Sequence, residues 1–537
     1  MNRAWLALVI GLTALPAVSL ESGAEAHSHS AVAGVSSNTE NLGDVQFEVA
    51  CKAEARKPFD RAMALLHSFE YDEARGAFQK VADKTPACAM AYWGIAMSYV
   101  HPLWAPPAEE EYRSGRAAAE RARRARTSSA RERGFIEAVS EYYSPSWESQ
   151  PAQRLSAVSR SLGRLYEAFP KDVEVAAFHA LFLIATADPN DRTFQNQLAA
   201  GKIMTPFVDS APKHPGLTHY IIHGYDNFEL APLALDAARK YSAIAPSSAH
   251  ALHMPSHIFE RLGLWRESAE MNLRSTQAAR DYAEKAHMDG HWDEELHGLD
   301  FLLTAYLQMG RYDLAREIRD YVVSIDSVYP QNFKVAYVFA AAPARYALEQ
   351  KDWESAARLR LEHENFPWSQ FPWEQSIHTF AVGYGKARLS DVEGAKACRD
   401  QLLDVAGKLK AQSLAYKAQR LEISAQTIDA WIKLADKDAN GAIASLKLAV
   451  EREAGMIVPD GAILPATEIL GDLYLSLGQY EEAIAAYDSS RQKRRRGAVT
   501  GALQAAIALK DAIRVARYQA LLADISNGAQ QWQAFVH

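Results

Sequence analysis

Residues 470–487 read LGDLYLSLGQYEEAIAAY, and this stretch decides the fold class. Its small residues include Gly471, Gly478 and Ala483, and its large residues are mainly leucine and tyrosine at helical spacing. Small side chains at fixed positions allow two antiparallel helices to approach closely, and a glycine between two helical runs marks a turn. The stretch therefore predicts a helical hairpin.

The same spacing of small, aromatic and turn residues recurs along the chain, whereas the alternating runs typical of strands do not recur. The clear copies contain Ala74, Phe78 and Pro86; Phe259, Gly263 and Trp265; and Tyr306, Gly310, Tyr312 and Ala315. The pattern resembles the tetratricopeptide repeat (TPR). This resemblance implies an all-α, right-handed TPR-like solenoid built from helical hairpins.

Several longer stretches resemble a narrower group, a family of exported bacterial TPR proteins of this length. These stretches are HSF (67–69), CAMAYWG (88–94), HPLW (101–104), HYIIH (219–223) and HALHMPSH (250–257). The resemblance implies a fold and a pattern of histidines, but it implies no reaction, because one fold can serve many roles.

The amino-terminal segment has the features of a secretory signal peptide. Arg3 precedes an apolar run that Pro16 interrupts, and patterns of small residues suitable for cleavage follow before residues 20 and 27. No later stretch approaches the roughly 18 apolar residues that a spanning helix requires. We therefore expect a periplasmic or secreted protein without a membrane span.

Length and charge define the expected organisation. A chain of 537 residues exceeds one ordinary globular core, and its net charge of −8 argues against nucleic acid as a partner. We predict a signal peptide over residues 1–26, a flexible linker over 27–46, an N-terminal TPR-like array with a histidine-rich concave groove over 47–330, and a C-terminal TPR-like array over 331–537.

The chain contains three cysteines, too few for a disulfide scaffold. Cys51 and Cys88 flank the first predicted helical pair, and an oxidising compartment would allow them to form a disulfide. Cys398 would then remain unpaired. The alternative is three buried thiols.

Histidines are concentrated in one part of the chain. Residues 219–257 contain five of the 17 histidines. Within this segment, His219 and His223 are four residues apart, so they lie on one face of a helix. The spacing of three and then four residues among His250, His253 and His257 likewise predicts a single helix face.

The repeat register places these histidines on the groove. Aligned on Pro246, Gly263 and Gly310, three repeats begin at Pro215, Ala249 and Leu296. The first-helix positions that line the concave surface of a TPR are then occupied by His219, His223, His250, His253, His257 and His297. The registers derived from Pro246 and from Gly263 are independent, yet both place histidines at groove positions.

This pattern predicts a transition-metal site, because neutral imidazole is the commonest nitrogen ligand. First helices of adjacent repeats pack about 8–10 Å apart, so their histidines could meet across the seam. Further candidate ligands, or partners that orient an imidazole, are Asp226, Asp300, Glu294, His291 and His101. Because no cysteine lies near the cluster, we expect copper first and zinc second.

Three functions are consistent with these features. The leading interpretation is an exported TPR-like protein that binds a transition metal through its groove histidines, in its stronger form a metalloenzyme acting on a small molecule. The alternatives are a metal-free scaffold that binds a peptide or an envelope protein, and a protein for metal (copper) storage or delivery. The sequence leaves open whether the protein catalyses a reaction.

Overall fold

The computed structural model describes residues 40–104, 106–144, 150–412, 414–456 and 463–530. The predicted signal peptide and most of the predicted linker lie outside these residues. The part of the linker that is described is packed against the body of the protein. The backbone N–H of Asp44 donates to the carbonyl of Lys213 at 2.9 Å, and the N–H of Ser247 donates to the carbonyl of Asn41 at 3.1 Å.

Within the described residues the protein consists of 25 α-helices, one 3-10 helix and two very short strands. The helices up to the middle of the chain are α1 (Ala53–His67), α2 (Tyr71–Lys84), α3 (Ala89–Met97), α4 (Glu109–Ala125), α5 (Ala130–Tyr143), α6 (Pro151–Ala168), α7 (Val173–Ala185), α8 (Gln195–Val208), α9 (Pro215–Gly224), α10 (Ala231–Ile244), α11 (Ala249–His253), α12 (Pro255–Leu262) and α13 (Trp265–Lys285).

The remaining helices are α14 (Asp293–Met309), α15 (Tyr312–Ser324), α16 (Phe333–Glu349), α17 (Trp353–Ala357), α18 (Pro372–Arg388), α19 (Val392–Ala411), α20 (Ala415–Ala435), α21 (Ala439–Ala454), α22 (Ala466–Ser476), α23 (Tyr480–Asp488), α24 (Arg496–Ala508) and α25 (Ala512–Gln530). The 3-10 helix is Trp368–Gln370. Strand β1 (His291–Trp292) pairs in parallel with β2 (Val328–Tyr329). The all-α prediction is confirmed, with this small sheet as an addition that the sequence did not indicate.

Successive helices pack as hairpins, which makes the fold TPR-like. The close approach predicted for residues 470–487 is present: a Cβ atom on Gly471 would lie only 2.5 Å from the ring of Tyr487. Since that distance is far below van der Waals contact, only glycine allows α22 and α23 to pack so closely.

Helix starts agree with the predicted register. Helix α9 begins at Pro215 and α11 begins at Ala249, as predicted, whereas α14 begins three residues before the predicted Leu296. Gly263 and Gly310 end their helices with φ of 67° and 75°, a left-handed conformation that glycine adopts without steric cost. These two glycines are the turn positions on which the register was aligned.

One first helix of the groove is broken into two pieces. Helix α11 ends at His253, and α12 begins at Pro255. Proline lacks the backbone N–H that a continuous helix would use, and its ring displaces the preceding turn. The break therefore leaves His250 and His253 in one helical piece and His257 in the next.

Buried apolar residues form two large clusters. One cluster draws on residues 42–259 and the other on residues 265–525. The division in sequence between the two clusters falls at the end of α12, close to the predicted ligand His257. In the described residues no helix combines the length and the apolar character needed to cross a membrane.

The predicted disulfide is present. Cys51 and Cys88 are bonded, with 37 residues of sequence separation, and Cys398 is a buried free thiol. The bond ties the segment before α1 to the start of α3. A disulfide of this kind is consistent with an oxidising compartment.

Loss of this bond should lower stability. Closing a loop of this length restricts the unfolded chain by about 4 kcal/mol in the chain-entropy account. We expect Cys51→Ser to lower the free energy of unfolding by about 2–4 kcal/mol in urea titrations, whereas Cys398→Ser, which removes a thiol without breaking a bridge, should cost less. Three reactive thiols in the unreduced, denatured protein would contradict the bond.

Candidate metal centre

The six histidines predicted as ligands lie together in two groups. Within each group, one ring nitrogen per residue lies within 4.8 Å of the others. The inner triad consists of His219, His223 and His250, and the outer triad consists of His253, His257 and His297. Each group offers three nitrogen ligands, the number that the protein supplies in many transition-metal sites that keep an open position.

In the inner triad, the proton of His219 can be placed. Its Nδ1 lies 2.6 Å from the backbone carbonyl oxygen of His67, which only accepts hydrogen bonds. Nδ1 therefore carries the proton and donates it, and Nε2 of the neutral ring carries a lone pair. That Nε2 faces Nε2 of His250 at 3.2 Å.

The outer triad repeats this arrangement more completely. Nδ1 of His253 lies 2.7 Å from Oδ1 of Asn272, whose amide N–H donates to the Ser268 carbonyl at 2.7 Å. The amide is thereby oriented with its oxygen toward the ring. Nδ1 of His257 lies 2.9 Å from Oδ2 of Asp226. Both histidines therefore hold their protons on Nδ1, and their Nε2 atoms face each other at 3.0 Å.

When both rings are neutral, neither Nε2 carries a hydrogen, and the facing nitrogens form no hydrogen bond. Two lone pairs at 3.0 Å repel each other in a site with little water. Nitrogens bound to one tetrahedral ion at about 2.0–2.1 Å are separated by roughly 3.3 Å. The observed spacings of 3.0 and 3.2 Å are therefore close to those of ligands that share a cation.

Burial keeps these rings neutral. Desolvation lowers the pKa of His219, His223 and His253 well below the usual value, and neighbouring imidazoles lower it further. The same causes bring the pKa of His297 to about 3. The neutral imidazole is the form that binds a metal ion, so the rings are ready to act as ligands at neutral pH.

The two acidic residues nearest the triads differ in how they contact a ring. Asp226 accepts from His257 and also from Nε of Arg261 at 2.9 Å, which fixes the carboxylate. Oε2 of Glu294 lies 3.5 Å from Nδ1 of His250. Burial alone would raise the pKa of Glu294, but the Lys334 ammonium and the ring of His250 lower it well below the usual value.

The other predicted candidates lie apart from the triads. Asp300 pairs with Arg345 at 3.4 Å. The ring of His101 packs against Tyr71, with centroids 4.5 Å apart. His291, in strand β1, pairs through Nδ1 with Oε2 of Glu295 at 2.7 Å. Among the described residues these three belong to no group of potential ligands, although they were predicted as extra ligands or partners.

Each triad also has a phenyl ring against it. The Phe69 ring lies 4.4 Å from His219, and the Phe301 ring lies 4.6 Å from His253, measured between centroids. Phe69 has a positive φ of 59°, an uncommon conformation for a side chain of this size. The turn that includes Phe69 also positions the His67 carbonyl that accepts from His219. One strained turn therefore supplies both a phenyl ring and a hydrogen-bond acceptor to the inner triad.

A third group was not singled out as a site from the sequence. Glu174 lies between His67 and His214, at 2.8 and 3.0 Å from their Nε2 atoms. Nδ1 of His67 lies 2.9 Å from the hydroxyl of Tyr220, and Nδ1 of His214 accepts from the N–H of Leu217. Every ring nitrogen here has a partner, so the group is a hydrogen-bonded support for the carbonyl of His67. The HSF stretch contained the only sequence signal for it.

No family model and no curated protein matches the chain. Among solved structures, it is similar to the APC/C hetero-tetramer Cut9–Hcn1 (14% identity, 79% of this chain and 77% of that chain covered, TM-score 0.32). It is also similar to the human IFIT1 dimer with m7Gppp-AAAA (12%, 74% and 89%, 0.35) and to yeast Tom70 (10%, 87% and 99%, 0.29). These TM-scores are below 0.5, so the likeness adds nothing to what the helix pairs already establish.

The buried neutral imidazoles predict that acid destabilises the protein. Their pKa is lowered in the folded state, so below about pH 6.5 the unfolded chain binds more protons and unfolding is favoured. Each such ring contributes a slope of about 1.4 kcal/mol per pH unit. We expect the urea midpoint of chelator-treated protein to change little above about pH 7 and to fall as the pH drops from about 6.5 to about 5.5.

Replacing one ring should reduce that slope. His253→Gln removes one such imidazole and should make the dependence shallower, whereas His287→Gln, at an exposed position, should leave it unchanged. Identical slopes in the wild type and in His253→Gln would contradict the assignment. The loss of Glu174 charge acts at lower pH, because its pKa is lowered from about 4.5.

Proposed function

We propose that this protein binds a transition metal through the imidazoles of its concave groove. The observation that carries the proposal is the facing pair of Nε2 atoms of His253 and His257, 3.0 Å apart. Both protons are accounted for on the opposite sides of the rings, by Asn272 and Asp226. A cation between the two lone pairs turns a repulsive contact into a favourable one.

The surroundings favour a metalloenzyme acting on a small molecule. Three protein nitrogens leave a fourth position of a tetrahedral ion for water or a substrate. The side chains of His257 and Asp226 retain 19% and 17% exposure, so the outer triad is accessible to a small ligand. A protein-filled coordination sphere would instead have favoured storage.

Copper is our first choice of metal and zinc the second. All six candidate ligands are histidines, and no described cysteine belongs to either group. Nitrogen-rich sites of this kind suit Cu(II) and Zn(II) better than Cu(I). Copper ranks first because the amino-terminal sequence predicts export, with which the disulfide is consistent.

A metal-free scaffold that binds a peptide or an envelope protein is the alternative, and a copper storage or delivery protein is the second. The scaffold alternative does not explain why the imidazoles converge. Neutral buried rings with opposed lone pairs lower stability, so a metal-free protein gains nothing from this arrangement. The storage alternative would use the same ligands, but it does not need the open position.

Metal content tests the proposal directly. Protein purified without added chelator should contain at least one transition-metal ion per chain by elemental analysis. His253→Ala and His257→Ala should reduce that content while helical circular dichroism stays nearly unchanged. His287→Ala, which removes an exposed histidine, should retain the metal. Metal-free wild-type protein that also fails to bind added Cu(II) and Zn(II) would favour the scaffold.

The carboxylate of Asp226, which accepts from Nδ1 of His257, should strengthen the binding of the metal ion. Asp226→Asn weakens the acceptor of the Nδ1–H of His257, and partners of this type typically change metal affinity by about 10–100-fold. We expect a loss of that order in Cu(II) competition titrations. Asp300→Asn is the matched control, because Asp300 pairs with Arg345 and contacts no histidine of the triads. Equal effects of the two substitutions would contradict the role of Asp226.

A further inference from the structure

We propose that the protein binds two metal ions at once, one in each triad, as a tandem pair of sites made by consecutive repeats. This inference rests on the proposed function, since it specifies how many ions the groove holds and how they are related. It adds that each ion weakens the binding of the other.

The repeat relation between the triads is the first argument. His253 and His257 of the outer triad follow His219 and His223 of the inner triad by exactly one 34-residue repeat. Each pair lies in the first helix of its repeat. The outer triad is therefore the inner triad moved along the solenoid by one repeat.

The third ligand of each triad follows the same rule. His250 is the second residue of the repeat that begins at Ala249, and His297 is the second residue of the repeat aligned to Leu296. Between these two repeats the chain is longer, and the additional residues extend α13 and form the turn with β1. His297 nevertheless returns to the equivalent position, as a duplicated site requires.

The series stops after two sites. At the next repeat, the positions equivalent to His219 and His223 are occupied by Asp300 and Thr304. Asp300 pairs with Arg345, and the Thr304 hydroxyl donates to the Asp300 carbonyl at 2.9 Å. Two sites, neither one nor three, are therefore the number that the residues support.

The two triads are close enough to affect each other. The rings of His250 and His253, one from each triad, have centroids 6.4 Å apart. First helices of consecutive repeats are separated by about 8–10 Å, which sets the scale of the distance between the ions. The acidic residues also act across the pair: Asp226, bonded to His257, exerts its charge on His223, and Glu294, beside His250, exerts its charge on His297.

Charge makes the two binding events antagonistic. Arg261 pairs with Asp226, whereas Lys334 is shared between Asp293 and Glu294. Whatever the charge of these groups, two divalent ions held in neighbouring triads repel each other directly. At about 9 Å, Coulomb repulsion between two such ions weakens binding of the second by about tenfold or more.

The test uses Cu(II) added to chelator-treated, full-length protein. We expect two Cu(II) per chain, with the second bound about tenfold or more weakly than the first. His223→Ala and His297→Ala should each retain one Cu(II), and the double variant should retain none. Electron paramagnetic resonance of the doubly loaded wild type should show dipolar broadening that is absent from both single variants. His287→Ala is the control and should behave as the wild type.

The outcomes separate this inference from the proposed function. One Cu(II) per wild-type chain, or two that bind independently with a spectrum equal to the sum of the single variants, overturns the tandem pair and leaves metal binding standing. No Cu(II) or Zn(II) binding removes the proposed function itself. If an alanine variant loses helical circular dichroism, His250→Gln for the inner triad and His257→Gln for the outer triad supply the same comparison with less change in volume.

Discussion

Lone pairs of imidazole nitrogens repel each other, and the groove of this protein brings such nitrogens together in its interior. Three of these rings donate a hydrogen bond from Nδ1, the nitrogen that points away from the other rings. The acceptors carry no hydrogen themselves: they are the carbonyl of His67, the amide oxygen of Asn272 and the carboxylate of Asp226. These hydrogen bonds therefore leave a lone pair on the Nε2 atom of each neutral ring. A cation is the partner that such a set of nitrogens suits best.

The repeating helical hairpins account for this geometry. A helix presents two rings four residues apart on one face, and the next repeat contributes a third ring near its start. Helix α11 contributes His250 to the inner triad and His253 to the outer triad, and α12 contributes His257 to the outer one. One helical segment therefore serves both triads, on either side of the seam between repeats.

Sequence reasoning reached the groove through local patterns. Glycine and proline positions set the repeat register, and the spacing of four residues then placed His219 with His223 and His253 with His257. The same reasoning could not predict contacts between segments that are distant in the sequence. The carbonyl of His67 lies 152 residues from His219, and nothing in the local pattern around either residue indicates their contact. The division into two triads likewise depends on how α9, α11 and α14 pack against each other, and a histidine count does not reveal it.

Two predicted candidates lie apart from the triads, and sequence reasoning could not foresee this for the same reason. His101 and His291 are histidines near groove helices, but their backbone positions direct them elsewhere. His101 has a positive φ of 46° in the turn after α3, which places its ring against Tyr71. His291 lies in strand β1, where its Nδ1 meets Glu295 at 2.7 Å. Spacing along one helix identifies a shared face, whereas residues in turns need the tertiary structure to be placed.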